Sequence, residues 1–221
     1  MPTNNMSHKA GFVNIIGKPN VGKSTLMNAM VGEKLSIITS RAQTTRHRIH
    51  GILNTPDYQV IFSDTPGILD PSYKLQETML KAARSALVDA DVLIYLTEID
   101  EVPDPEDKFL QKVATAKVPV LLVINKIDLS NQEKVRACME QWDNILPKAE
   151  KIPISALKKF NVESIFKRIL ELLPESPPYY DKDALTDKSE RFFVGEMIME
   201  KILIYYKKEI PYALEVEIES F

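Results

Sequence analysis

The feature that most restricts the fold of this chain is a short loop near its N-terminus. Residues 17–24 read GKPNVGKS, which fits the pattern G-x-x-x-x-G-K-[ST]. An apolar run at residues 11–16 precedes the loop as a buried strand, and a helix over 23–30 follows it. The loop amides and the helix N-terminus can then bind phosphate oxygens, while Lys23 reaches the outer phosphates and the Ser24 hydroxyl binds magnesium. The loop predicts a nucleotide site but does not separate ATP from GTP.

Apolar runs alternate with helical periodicity along residues 1–173. The runs at 91–97 and 118–124 are apolar almost throughout, which is typical of strands buried on both faces. A turn at 55–57 favours a hairpin between the strands on either side of it. The pattern predicts an α/β P-loop domain, with a mostly parallel sheet and helices on both faces. Further strands are predicted at residues 50–53, 58–62 and 152–155, and helices at about 74–88, 105–115, 133–145 and 162–173.

A second motif, DTPG at residues 64–67, follows the strand predicted at 58–62. Asp64 at a strand end can hold magnesium, often through water, and the Gly67 amide can contact a γ-phosphate. Pro-Gly is also ordinary turn chemistry, so this motif gains its meaning from its position after the phosphate loop.

The third motif, NKID at residues 125–128, indicates which base is bound. The Asp128 carboxylate can accept two hydrogen bonds, and guanine offers two donors on one edge, whereas adenine presents a different pattern there. Asn125 is expected to tie this segment to the phosphate loop, and the Lys126 stem can lie over the base plane. At residues 155–157 (SAL) a backbone amide can meet the guanine carbonyl oxygen. Four motifs in this order, each following a strand, predict a GTP site.

The segment from residue 34 to residue 56, called here the switch segment, contains no acidic residue. A switch loop needs one threonine that binds magnesium and the γ-phosphate; Thr45 is the candidate and Thr44 the alternative. The basic side chains of the segment fit a plain surface loop and a partner-binding surface equally. They are Lys34, Arg41, Arg46 and Arg48.

Ile68 follows the DTPG motif, where many GTPases place a glutamine that orients the attacking water. Isoleucine cannot hydrogen-bond water. We therefore expect slow intrinsic hydrolysis, or hydrolysis helped by a partner's residue or by a monovalent cation held near Asn20.

The chain changes character after Leu173. Residues 174–188 hold prolines, tyrosines and charges without an apolar period, which predicts a linker. In residues 189–221 a helical stripe precedes a half-exposed strand at 212–218. One helix and one strand cannot bury a core of their own. This part either packs on the first domain or begins a domain that the chain does not complete. The stripe is formed by Val194, Ile198, Ile202 and Tyr205.

The bulk composition excludes several classes of protein. The net charge is only −3, so there is no global basic field for nucleic acid. The single cysteine, Cys138, rules out an internal disulfide and favours an intracellular protein. No apolar run approaches the roughly 20 residues that span a bilayer. We expect a cytoplasmic protein.

The motifs together resemble the Era GTPases, which are bacterial ribosome-assembly factors. The resemblance rests on GKPNVGKS, DTPG, NKID and SAL, and more specifically on QTTRHRIH at residues 43–50. Residues 186–192 (TDKSERF) and 209–219 (EIPYALEVEIE) are similar to the linker and the start of the KH domain in that family. The resemblance covers essentially the whole chain.

The resemblance implies a Mg²⁺-dependent GTPase that hydrolyses GTP slowly to GDP and phosphate. It also implies a nucleotide-controlled switch in small-subunit assembly and rRNA maturation, which contacts small-subunit ribosomal RNA. Peripheral contact with the inner face of the cell membrane is a further implication, and we expect a monomer. In this family an isoleucine-like residue after DTPG is expected, and an asparagine at the position of Asn20 is linked to potassium in related GTPases.

One departure concerns the RNA module. A KH domain grips the nucleic-acid backbone with a G-x-x-G loop, but Gly195 is the only glycine after Leu173. Residues 189–221 also carry four Lys/Arg against seven Asp/Glu. We therefore expect a truncated KH-like module with weakened RNA affinity.

The predicted organisation is a GTPase domain at 1–173, a linker at 174–188 and an incomplete α+β KH-like segment at 189–221. Catalytic roles are assigned to Thr45, Asn20 and Lys23, and magnesium ligation to Ser24, Thr45 and Asp64. The predicted GTP-binding residues are Gly17, Lys18, Pro19, Asn20, Val21, Gly22, Lys23, Ser24, Thr25, Thr45, Asp64, Thr65, Pro66, Gly67, Ile68, Asn125, Lys126, Asp128, Ser155, Ala156 and Leu157.

Overall fold

A computed structural model describes residues 8–39, 44–68, 74–206 and 214–220. The described residues form a six-stranded sheet in the order β2-β3-β1-β4-β5-β6. The strands are β1 (Lys9–Ile16), β2 (Ile49–Asn54), β3 (Tyr58–Asp64), β4 (Val92–Glu98), β5 (Val120–Asn125) and β6 (Glu150–Pro153). The helices are α1 (Lys23–Val31), α2 (Lys74–Ser85), α3 (Lys108–Ala114), α4 (Gln132–Asp143), α5 (Val162–Leu172) and α6 (Glu190–Tyr205), and a 3₁₀ turn spans Ile127–Leu129.

The sheet is mostly parallel, as the sequence predicts. The edge strand β2 pairs antiparallel with β3 through the predicted hairpin, and the other neighbours pair in parallel. The hydrophobic core lies on both faces of the sheet. One cluster packs β-strand side chains against α1 and α5, for example Leu26 and Ile165, and the other packs them against α2, α3 and α4, where Trp142 is fully buried. The structure is thus an α/β P-loop fold.

The carboxyl ends of the parallel strands meet at one edge of the sheet. The phosphate loop follows β1, the DTPG segment follows β3, the NKID segment begins at the end of β5, and residues 155–157 follow β6. Ligands in open parallel sheets bind at this edge, so the fold brings the four motifs to one place.

Helix α3 begins later than predicted, at Lys108 rather than at residue 105. The Asp107 side chain accepts hydrogen bonds from the Phe109 and Leu110 amides and caps the helix. A capping aspartate placed after Pro105 sets the start of the helix.

Residues 174–188, predicted as a linker, contact the start of β1 first, where the Ala10 amide donates to Pro174 O at 3.2 Å, and then reach the β2 edge of the sheet. The Ile52 amide donates to Leu185 O at 2.9 Å, and Asn54 Nδ2 donates to Ala184 O at 2.8 Å. An edge strand has unpaired backbone groups, and this segment satisfies some of them. The segment therefore packs on the first domain along its length.

The strand predicted at 212–218 is wrong for the part that the structure describes. Residues 214–220 form no strand there, and positions 212 and 213 lie outside the described residues. Leu214 and Val216 are half-buried while Glu215 and Glu217 are exposed, so the apolar alternation still sets the burial. A strand also needs a hydrogen-bonded neighbour, which the alternation cannot supply.

Helix α6 and residues 214–220 pack on the switch segment. Met199 and Leu203 of α6 form a small apolar cluster with Ile37, which Leu214 and Val216 also contact. Lys34 Nζ donates to Glu200 Oε1 at 2.8 Å. Of the two arrangements left open by the sequence, the described part of the tail shows packing on the first domain.

Among the described residues, no helix combines the length and apolar character that crossing a bilayer requires.

Candidate functional site

A cleft of about 420 Å³ lies at the carboxyl edge of the sheet. Its walls combine residues from all four sequence motifs with residues of the switch segment. Fourteen of the predicted GTP-binding residues line it: Pro19, Asn20, Gly22, Lys23, Ser24, Thr25, Thr45, Thr65, Gly67, Asn125, Lys126, Asp128, Ser155 and Leu157. The remaining predicted residues do not line the cleft; they are Gly17, Lys18, Val21, Asp64, Pro66, Ile68 and Ala156.

The phosphate loop holds Lys23 against its own backbone. Lys23 Nζ donates to Gly17 O at 3.1 Å and to Lys18 O at 2.8 Å. Burial lowers the pKa of Lys23 to about 8, while the carboxylates of Asp64 and Glu101 act in the opposite direction. Carbonyl oxygens satisfy the ammonium group only in part, so an anion placed at the N-terminus of α1 would stabilise its charged form.

Three oxygen-bearing side chains, called here the oxygen cluster, meet beside Lys23. Ser24 Oγ donates to Asp64 Oδ2 at 2.6 Å, and Thr45 Oγ1 lies 3.1 Å from Ser24 Oγ and 3.4 Å from Asp64 Oδ2. Asp64 is fully buried, and its Oδ1 has no hydrogen-bond partner among the described residues. Burial raises the pKa of Asp64 against the opposing effects of the Ser24 hydrogen bond and Lys23. Hydroxyl and carboxylate oxygens are the ligands that Mg²⁺ prefers, so the cluster fits this ion.

The two switch threonines point to different partners. Thr45 is nearly buried in the oxygen cluster, whereas Thr44 Oγ1 lies 2.6 Å from Thr39 Oγ1. The hydroxyl that the structure brings to Ser24 and Asp64 is therefore that of Thr45. Gln43, which begins the QTTRH run, lies outside the described residues.

The DTPG segment approaches the phosphate loop closely at Gly67. A Cβ atom at Gly67 would lie 2.7 Å from Pro19 Cα, so only glycine fits there. Thr65 and Pro66 are buried. The Ile68 amide donates to Gly17 O at 3.0 Å, and its side chain packs in the apolar cluster on the α2–α4 face. Ile68 thus anchors the segment and offers no polar atom to the cleft.

Asn125 joins the base-selecting segment to two other loops. Its Nδ2 donates to Val21 O at 2.8 Å, and its Oδ1 accepts from the Ala156 amide at 2.9 Å. The Ala156 amide is thus engaged with Asn125, while Ser155 and Leu157 on either side of it line the cleft. Asp128 is exposed at the mouth of the cleft, as the acceptor of an incoming base must be.

Several residues of the cleft were not predicted from the sequence. The switch segment contributes two apolar side chains and a hydroxyl, and the 3₁₀ turn contributes a further apolar side chain: Ile37, Ile38, Thr39 and Leu129. The two adjacent isoleucines, between Ser36 and Thr39, are a signal that could have indicated an apolar wall in this segment. Nothing in the spacing indicates Leu129.

Three of the basic residues in the switch segment have partners within the chain. Lys34 pairs with Glu200, Arg46 donates to Leu214 O, and Arg48 Nη2 donates to Asn14 Oδ1 at 3.0 Å and also pairs with Asp89. Arg41 lies outside the described residues. These contacts agree with both roles that the sequence left open, a surface loop and a partner-binding surface, since the Lys34 side chain is still 62% exposed.

Comparison with known proteins identifies the family. A family model described as "50S ribosome-binding GTPase" matches residues 12–126. GTPase Era of Clostridium kluyveri is 46% identical over 213 residues, which cover 96% of this chain and 73% of that protein. GTPase Era of Clostridium botulinum strain Kyoto is 46% identical over 211 residues, covering 95% and 71%.

Two crystal structures of Era share the fold. Era in complex with MgGDPNP and nucleotides 1506–1542 of 16S ribosomal RNA matches with a TM-score of 0.87 and 38% identity, over 93% of this chain and 70% of that one. A variant of Aquifex aeolicus Era bound to GDP and AlF₄⁻ matches with a TM-score of 0.86 and 38% identity, over 92% and 70%. The chain therefore belongs to the Era family of GTPases, which bind GTP, hydrolyse it and act as nucleotide-controlled switches in ribosome assembly.

Proposed function

We propose that the cleft binds GTP and GDP, with the phosphates at the N-terminus of α1 and the base at Asp128. The observation that supports this proposal is that a single cleft joins the phosphate loop to the base-selecting segment. At one end lie Lys23 and the two hydroxyls of the oxygen cluster, with Asp64 behind them, and at the other lie Asn125, Lys126 and Asp128. A guanine nucleotide has the matching chemistry at its two ends, namely phosphate oxygens and a pair of hydrogen-bond donors on the base.

The oxygen cluster of Ser24, Thr45 and Asp64 is the proposed magnesium site. The support is the buried Asp64 Oδ1 that has no partner among the described residues, together with the two hydroxyls within 3.4 Å of Oδ2. When bound, Mg²⁺ neutralises phosphate charge and polarises the phosphoryl group. Thr45 links this cluster to the switch segment, so occupancy of the cluster orders that segment around the phosphates.

For hydrolysis we assign charge stabilisation to Lys23 and positioning roles to Thr45 and Asn20. Lys23 is held by two carbonyls at the phosphate end of the cleft and can follow the charge that develops on the leaving phosphate. Ile68 cannot orient water, so we infer a slow intrinsic rate. Asn20 lines the cleft from an exposed position, which is where a K⁺ ion or a partner's residue could be held against the phosphates.

We further infer contact with small-subunit ribosomal RNA. The support is the Era structure with 16S ribosomal RNA, at 38% identity, and the tail motifs of this chain. The proposed organisation is a GTPase domain at 1–173, a connecting segment at 174–188 and a KH-like segment at 189–221, whose acidic balance predicts weak RNA affinity. A cytoplasmic location is an expectation from the composition and the single cysteine, and a monomer with peripheral membrane contact is an expectation from the resemblance.

Single-turnover hydrolysis of GTP tests the enzymatic part of the proposal. We expect slow release of phosphate that requires Mg²⁺ and that becomes faster when K⁺ replaces Na⁺. Asn20→Ala should remove the response to K⁺ while GDP binding persists. Hydrolysis that is fast without any partner, or phosphate release that is unchanged by chelating Mg²⁺, would contradict the proposal.

A further inference from the structure

Glu98 ends β4 at the edge of the sheet that carries the cleft. In the parallel register of β4 and β5 it is the Cα partner of Asn125. The amide of the next residue, Ile99, donates to Asn125 O at 3.2 Å. Glu98 therefore lies directly beside the base-selecting segment, although none of the four sequence motifs contains it.

The Glu98 carboxylate forms an ion pair with Lys126 Nζ. Each of the two side chains is only 33% exposed, so the pair is more shielded from solvent than a typical surface pair. The ion pair holds the ammonium end of Lys126 at the end of β4, and Lys126 also lines the cleft. Its aliphatic stem is the part that can pack against a base.

The backbone around Lys126 is already held in place. Lys126 has a left-handed φ of +63°, and Asn125 uses both atoms of its carboxamide in hydrogen bonds to neighbouring loops. The freedom that remains is the rotamer freedom of the Lys126 side chain. A lysine loses much of this freedom when its stem packs against a base. The ion pair restricts the Lys126 side chain before the nucleotide binds, so less side-chain entropy is lost on binding.

We propose that Glu98 is a positioning residue for the guanine base and acts through Lys126. It holds the lysine stem in the orientation that packs against the base plane. This inference rests on the proposed function of the cleft. Glu101, three residues further along, provides a contrast, because its 3.0 Å ion pair is with Lys18 at the phosphate loop.

A double-mutant cycle tests this role. The dissociation constant of GDP is measured for the wild type, Glu98→Gln, Lys126→Met and the double variant. We expect Glu98→Gln to raise the Kd by about three- to tenfold, as for partly buried ion pairs. In the Lys126→Met background the same change should have no further effect, because the residue through which Glu98 acts is absent.

Inosine diphosphate separates positioning from base selection. It lacks the exocyclic amine that Asp128 accepts from, so the ratio of the IDP and GDP constants reports on Asp128. Glu98→Gln should weaken both nucleotides by the same factor and leave the ratio unchanged. A changed ratio would overturn the assignment of Glu98 to positioning.

Matched controls exclude a general effect of charge removal. Glu106→Gln, an exposed acid after the same strand, should leave the GDP constant unchanged. In a variant that combines Glu101→Gln with Lys126→Met, the GDP dissociation constant should rise by the product of the two single effects, because the two residues act independently. Thermal unfolding of the nucleotide-free variants monitors folding. If Glu98→Gln does not fold, Glu98→Asp takes its place in the double-mutant cycle. Its side chain is one methylene shorter, so the carboxylate lies farther from Lys126.

Besides a changed IDP to GDP ratio, two results would overturn the inference alone, provided that the wild type binds GDP. One is an unchanged GDP constant in Glu98→Gln, and the other is an equal loss with and without Lys126. A wild-type protein that does not bind GDP would instead overturn the proposed function of the cleft, and this inference with it.

Discussion

Gly22 combines a backbone requirement with a steric one. Its φ is +103°, and a Cβ atom there would lie 2.4 Å from Asn125 Nδ2. Gly32, at the other end of α1, has a φ of +84° but nothing within 4 Å of a Cβ position. Both glycines have a left-handed conformation, but only at Gly22 would a Cβ atom clash with a neighbour. Gly32 is therefore a control for the effect of the conformation alone.

We expect Gly22→Ala and Gly32→Ala each to lower the free energy of unfolding by about 1–2 kcal/mol, because both force alanine into the left-handed region. Only Gly22→Ala should displace Asn125 and weaken GDP binding, by about tenfold or more, which corresponds to one lost hydrogen bond. Chemical denaturation and GDP titration measure the two effects. Equal GDP affinity in the two variants would show that Asn125 does not depend on Gly22.

Residues within contiguous motifs were the ones that sequence reasoning could locate. Lys23, Asp64 and Asp128 carry their chemistry in a short pattern that follows a strand. Glu98 could not be found in this way, because its role depends on the register between β4 and β5. Ile38 was missed for a related reason, since only the path of the switch segment brings it to the cleft.

At the scale of elements, Gln59 fastens the connecting segment 174–188 to the sheet. It is fully buried in β3, and its Oε1 accepts from the amides of Tyr179 at 2.7 Å and Tyr180 at 3.0 Å. Its Nε2 donates to Asn54 Oδ1 at 2.6 Å and to Tyr180 O at 2.8 Å. One side chain thus links two strands and the connecting segment.

Gln59→Met should lower the free energy of unfolding by about 2–4 kcal/mol, because it keeps the volume but leaves buried polar groups unpaired. It should also expose the connecting segment to trypsin, with faster cleavage after Lys182. Gln111→Met, at an exposed glutamine of α3, is the control and should change the free energy of unfolding by less than about 0.5 kcal/mol. An unchanged cleavage rate in Gln59→Met would mean that other contacts hold the segment.

Elements were predicted well where burial alone determines them. β4 and β5 lie in the sheet interior, and their apolar runs located them within a few residues. Residues 214–220 show the limit of this reasoning, since the apolar alternation set the burial but could not supply a partner strand. The contacts of the connecting segment could not be predicted, because they are hydrogen bonds of backbone and side-chain polar groups that leave no apolar period.

At the scale of the whole molecule, the tail and the switch segment form one packed unit. Glu196 of α6 lies in a groove between this helix and residues 214–218. Burial raises the pKa of Glu196 to about 7, with Arg46 opposing this shift and Asp64 adding to it. The other ionisable side chains that line the groove are His47, Arg191, Glu215 and Glu217.

This pKa predicts a pH dependence of the packing. Between about pH 4.5 and about pH 7 the folded protein retains a proton on Glu196 that the unfolded chain has released, so stability falls as the pH rises through this range. Glu196→Gln should remove that contribution and give a flatter dependence of the melting temperature on pH. Thermal unfolding across this range compares the two proteins. An identical slope would show that Glu196 ionises normally in the folded protein.

Nucleotide competition shows whether Asp128 selects guanine in this cleft. A fluorescent GDP analogue is bound in the presence of Mg²⁺ and displaced by GDP, GTP, ADP or ATP. We expect GDP and GTP to compete at least about 10³-fold better than the adenine nucleotides, and Asp128→Asn to lose most of this preference. Equal competition by ATP in the wild type, or full guanine preference in Asp128→Asn, would contradict the account.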